Sequence, residues 1–167
     1  MLLAVDTHYA DGKAHTVALL FEDWQAAAPS GVRAEMIATP AAYEPGAFHK
    51  RELPCILHLL GRVALAGVGA IVVDGYVHLD DARRPGLGAR LHEALGGRIP
   101  VVGVAKTHFA TVHGIARQVL RGTSRRPLYI TAAGMDVAMA AACVARMHGT
   151  HRIPDLLRLL DRLSREA

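Results

Sequence analysis

Four acidic residues, Asp6, Glu52, Asp74 and Asp161, are spaced so that one fold can bring them to one site. Asp6 closes the apolar run Leu2-Leu3-Ala4-Val5, and Asp74 closes Ala70-Ile71-Val72-Val73, with Gly75 straight after it. Each run reads as a buried strand that delivers a carboxylate at its C-terminal edge. Glu52 opens an apolar helical pattern, and Asp161 flanks the apolar stripe of the final one. Such oxygen donors suit Mg²⁺, or Mn²⁺ in its place, because a hard cation takes a few carboxylates and fills its other positions with water and phosphate oxygens. Two such ions about 3.5–4 Å apart stabilise the attacking and leaving oxygens of a phosphodiester displacement. We therefore expect Asp6, Glu52 and Asp74 to hold metal and Asp161 to complete the catalytic set. Lys106, after Val101-Val102-Gly103-Val104-Ala105, is placed to neutralise a scissile phosphate or orient the attacking water. For Asp161, a surface ion pair with Arg158 or Arg162 is the competing reading.

The elements that must position these groups follow from periodicity. Asp11-Gly12 is a hairpin turn pair, so the strand from Ala14 to Phe21 runs back along the first. A third strand, Val32 to Thr39, follows the Pro29-Ser30-Gly31 loop and completes a meander. Apolar spacing at Ile56, Leu57, Leu60 and Val63 predicts a helix from Phe48 to Ala66, with Pro54 tolerable only near its first turn. The strand Ala70 to Asp74, a short helix through Leu87, Leu91 and Leu95, and a strand from Ile99 to Ala105 come next. A β-like segment at 126–132 precedes helices from Met135 to Met147 and from Ile153 through Leu163. The reading is α/β: a mixed sheet of three antiparallel strands followed by alternating helix and strand, with helices on both faces, similar to the ribonuclease H-like fold.

At 167 residues the chain fits a single domain, 1–167. No run reaches the roughly 18 apolar residues of a membrane span, so neither a membrane nor an export route is expected. Cys55 and Cys143 each sit in apolar helical patterns, which suits a reducing cytoplasm better than a disulfide framework or zinc. The ten histidines show no zinc spacing, although His8 and His78 lie near the proposed acids. The net charge is +4, and Arg117, Arg121, Arg125 and Arg126 cluster where they suit a phosphate backbone. DNA or RNA is the expected partner, with a monomer favoured.

Taken together these segments resemble the endonuclease V, or deoxyinosine 3′ endonuclease, family. Val5-Asp6-Thr7-His8-Tyr9 resembles its first-strand motif, and Tyr43 through Glu52 the block joining a strand-separating wedge to a catalytic Glu. Val73-Asp74-Gly75 through Leu87, the strand ending in Lys106, and His151-Arg152-Ile153-Pro154 leading to Asp161 resemble the remaining blocks. The resemblance implies metal-dependent hydrolysis of the second phosphodiester 3′ to inosine, leaving 3′-hydroxyl and 5′-phosphate ends. It implies a flipped base held by wedge and central-loop residues, here Tyr43, Pro45, Gly46, Gly75 and Asp80. Glu44 puts a negative charge in the wedge, which favours single-stranded or locally unpaired substrate. Val77 and Asp80 stand where the family has Gly and His, and a bulky Val77 is expected to restrict the approach of the base. Those two positions motivate an alternative, a structure-directed nuclease without base preference. The shorter link after Lys106 motivates another, a non-catalytic nucleic-acid-binding module.

Overall fold

The computed structural model describes residues 1–38 and 48–166. Among the described residues seven strands form one sheet: β1 (Leu2–Ala10), β2 (Lys13–Phe21), β3 (Gly31–Ala38), β4 (Ile71–Asp74), β5 (Val101–Ala105), β6 (Arg117–Val119) and β7 (Leu128–Ala133). Their spatial order is β3-β2-β1-β4-β5-β7-β6. The meander is as expected: Asp11 and Gly12 both take positive φ, 50° and 72°, and close the β1–β2 hairpin. β4 pairs with β1 and β5 in parallel, and β7 turns antiparallel to β5.

Side chains alternate across the sheet and build a main cluster on each face, with a smaller third one around Tyr76, Ala105 and Val112. Leu2 and Ala4 of β1 pack with Ala140 and Val144 of α3 (Val137–Ala145) and with Leu156 and Leu160 of α4 (Asp155–Arg165). Leu3 and Val5 pack on the other face against Ile56 and Leu60 of α1 (Phe48–Leu60) and Leu91 of α2 (Leu87–Ala94). Helices thus cover both faces, and the α/β mixed sheet expected from sequence is the one observed. No described helix is long and apolar enough to cross a membrane.

The boundaries differ instructively. β1 does not stop at Asp6 but runs to Ala10, because β2 keeps pairing with it after β4 has ended. α1 stops at Leu60 rather than Ala66. Gly61 follows, and Arg62 and Val63 donate to Leu59 and Leu60, tightening the last turn. Pro54 lies inside that helix, beyond its first turn. There the Cys55 thiol donates to the Arg51 carbonyl at 3.2 Å. β6, three residues with two of them exposed, carries too little pattern to be read from sequence.

Candidate active site

Asp6 is the first β1 residue beyond the β1–β4 pairing, which ends at Val5 opposite Val73. Asp74 is the last residue of β4, and Lys106 follows the end of β5. The parallel strands therefore present Asp6, Asp74 and Lys106 along one edge, and α1 adds Glu52 from the adjoining layer. All four line one cleft of about 620 Å³, together with Gly75, Tyr76 and Phe109.

The electrostatics of this edge are those of crowded carboxylates. Burial, then the charges of Asp6 and Asp74, push Glu52 up to about 8. Burial also raises Asp6, against a hydrogen bond from Ser164 that favours the charged form. Ser164 Oγ donates to Asp6 Oδ2 at 2.7 Å. Lys106 Nζ donates to Asp74 Oδ2 at 2.6 Å, a short charge-assisted bond between half-exposed groups.

Among the described residues, no three His, Cys, Asp or Glu side chains are already drawn together as a metal cluster. The donor chemistry nevertheless fits a divalent cation. Asp6, Glu52 and Asp74 offer oxygens only, they share a cleft, and their mutual repulsion would be relieved by positive charge among them. Asp161 lines a narrow cavity next to the cleft with Asp6, Asp74 and Lys106. Its ion pair is with Arg165 at 3.2 Å, not with Arg158 or Arg162, which pair with Asp155 and with Glu166 just past the end of α4.

The same cleft also has an aromatic lining. The rings of Tyr76 and Phe109 stack with centroids 4.6 Å apart. The Tyr76 hydroxyl donates to the Thr107 carbonyl at 2.8 Å and accepts from the Phe109 N–H at 3.1 Å, so side chain and loop lock each other. Phe109 remains 44% exposed, presenting a flat apolar surface. Asp81 ties this loop to the one after β4 by accepting from the N–H groups of His113, Gly114 and Ile115. Those bonds, chiefly that of His113, hold its carboxyl below the usual range.

The structure places the other sequence-derived candidates as follows. Gly75, at φ 105°, turns the chain directly after Asp74 and lines the cleft. Asp80 does not line it; its carboxylate accepts from Arg84 N at 3.0 Å and lies 3.3 Å from Arg84 Nε, and Arg84 is the residue that reaches the cleft. Val77 does not obstruct the cleft either. It is fully buried in the α1–α2 core, and its N–H donates to Thr131 Oγ1 at 2.8 Å. Tyr43, Pro45, Gly46 and Glu44 lie outside the described residues. His8 borders a separate cavity with Lys13 and His15, and His78 forms a bridge with Pro85.

The arginine cluster is not a single phosphate patch. Arg121 is buried, and its guanidinium donates to the carbonyls of Met147, Gly149 and His151, so it holds the α3–α4 connection. Sequence reasoning also passed over Ser164 and Arg152 as functional groups. Arg152 donates to the carbonyls of Lys106, Arg126 and Pro127 and so fixes the backbone beneath Lys106. The clue to Ser164 is its position, in register with Leu156 and Leu160 on the buried stripe of α4, where a hydroxyl needs a partner.

Comparison with known proteins identifies the fold and the family. The Endonuclease V family model matches residues 1–119. No curated protein sequence matches the chain. Among solved structures, Ciona intestinalis endonuclease V, crystallised with a 24mer DNA containing an inosine followed by a ribo-adenosine, superposes with a TM-score of 0.82 at 16% identity, over 99% of this chain and 84% of that one. The catalytic domain of human endonuclease V gives 0.77 at 22% identity, over 99% and 80%. The Bacillus subtilis protein gives 0.69 at 16% identity, over 97% and 77%. The sheet and its helices thus match a ribonuclease H-like fold in these structures.

Proposed function

Because the chain belongs to the endonuclease V family, a family of phosphodiester hydrolases, we propose that it cuts DNA or RNA at the second phosphodiester 3′ to inosine or deoxyinosine. The substrate is single-stranded or locally unpaired, and the site of action a reducing cytoplasm. The observation that carries this reading is the shared cleft, lined by three crowded carboxylates, a lysine and the Tyr76–Phe109 stack. Such a lining suits an unstacked base, since aromatic faces receive unpaired bases by stacking. The inosine-containing DNA bound to the Ciona protein supports the same substrate class.

Asp6, Glu52 and Asp74 would hold Mg²⁺ or Mn²⁺, which supplies Lewis-acid stabilisation of the phosphoryl oxygens and lowers the pKa of a bound water. Lys106 balances the charge of Asp74 in the free protein and faces the incoming phosphate. Asp161, one helix turn from Ser164, adds negative charge behind the acids. The base rests against Phe109, and Arg84 closes the cleft from the loop after β4.

The test is cleavage of matched single-stranded DNA and RNA oligonucleotides, with and without one inosine, in Mg²⁺ or Mn²⁺. A cut one nucleotide beyond inosine, with 3′-hydroxyl and 5′-phosphate ends, is expected. It should be lost in Asp74→Ala, which removes one of the carboxylates that would hold the metal. Full cleavage by a folded Asp74→Ala protein would remove the acids from the mechanism. Equal rates on inosine and adenosine oligonucleotides would remove the base preference.

A further inference from the structure

We propose that Ser164 is a positioning residue for Asp6, holding its carboxylate in one orientation for the divalent cation; this rests on the metal-dependent reading above. Leu156, Leu160 and Ser164 form the fully or nearly fully buried column of α4. The first two are core leucines, and the third is a hydroxyl with no access to water. A buried hydroxyl costs stability unless it is bonded. A serine inside a helix ordinarily bonds back to a carbonyl of the preceding turn. Here that acceptor, the Asp161 carbonyl, is 3.0 Å away, while Asp6 Oδ2 is 2.7 Å away and lies 158 positions off in sequence. The hydroxyl has one proton, and the shorter bond to a carboxylate is the stronger of the two.

The donor is itself fixed. The Ser164 carbonyl belongs to the last turn of α4, where helix carbonyls lack intrahelical partners. His15 of β2 fills that need, its Nδ1 lying 2.9 Å from the oxygen. A carbonyl only accepts, so Nδ1 carries the proton. The end of α4 is therefore pinned to both strands of the hairpin, by His15 on β2 and by Asp6 on β1. Outer partners of this kind set the orientation of a metal-binding carboxylate and tune its affinity.

Mn²⁺ alone, without nucleic acid, is the probe. Calorimetric or spin-resonance titration of Ser164→Ala should give an affinity about 10–100-fold weaker than that of the natural chain. Ser164→Thr, which keeps the hydroxyl, should restore most of it. In cleavage, Ser164→Ala should shift the metal concentration for half-maximal rate in step with the binding loss and leave KM for the oligonucleotide unchanged. His15→Ala removes the anchor without touching the hydroxyl and should weaken Mn²⁺ binding by a smaller factor. Mn²⁺ affinity equal to that of the natural chain in Ser164→Ala, alongside loss of binding in Asp74→Ala, would overturn the role of Ser164 and leave the metal reading standing. Failure of the natural chain to bind Mn²⁺ would overturn both.

Discussion

Glu52 ordinarily titrates at 4.5, and in the folded chain at about 8, because it is buried and faces Asp6 and Asp74. Below pH 4.5 the group is protonated in both folded and unfolded chains, and its contribution to stability is fully present. Between 4.5 and 8 the unfolded chain gives up the proton and the folded one keeps it, so stability drains away as pH rises. Above 8 the loss levels off, with a carboxylate held among carboxylates. Glu52→Gln should therefore raise the melting temperature of the metal-free protein above pH 8, on the order of 2–4 °C for each kcal/mol relieved. Thermal melts in a chelator across pH 4–9 check this, and the gain should shrink to nothing towards pH 4.5. A residue kept at such a cost is one whose charge is meant for a partner.

At the scale of the element, β5 shows how tightly the cleft is built. A Cβ on Gly103 would lie 2.5 Å from the Gly75 carbonyl and 2.8 Å from Thr131 Oγ1. The strand must be bare there for the turn after Asp74 to lie against it. Gly103→Ala should push that turn outward, destabilise the fold by about 1–3 kcal/mol and lower cleavage more than stability alone explains. Denaturant unfolding beside single-turnover rates would separate the two effects. The apolar runs made this region legible in the sequence, since β4 and β5 are apolar and buried until Asp74 closes the first and Lys106 follows the second. The length of β1 was not legible, because it depends on which neighbour continues to pair. Nor was the fate of Val77: only the turn at Gly75 decides whether its side chain enters the cleft or the core. Arg121 looked like a phosphate contact because a charge in sequence carries no sign of burial, and its acceptors are carbonyls 26 to 30 positions away. Ser164 belongs with it, a small residue whose importance lies in a carboxylate at the other end of the chain.

For the molecule as a whole, the site is a seam between two cores. Asp6 lies on the sheet face covered by α3 and α4, and Glu52 comes from the helix covering the opposite face. A cation joining them would tie both layers to the sheet and raise global stability by mass action. At a concentration of Mg²⁺ or Mn²⁺ a hundred times its dissociation constant the gain is about 2.7 kcal/mol, or roughly 5–10 °C in melting temperature. Differential scanning calorimetry with and without chelator should show that shift in the natural chain and its absence in Asp74→Ala.

The bond between Ser164 and Asp6 also has a consequence in time. The β1–β2–β3 meander is local and can pair as soon as it leaves the ribosome, whereas Asp6 meets its hydroxyl only after α4 has been made. While the chain is being translated beside its own messenger RNA, the carboxylate at the heart of the cleft has yet to be set in place.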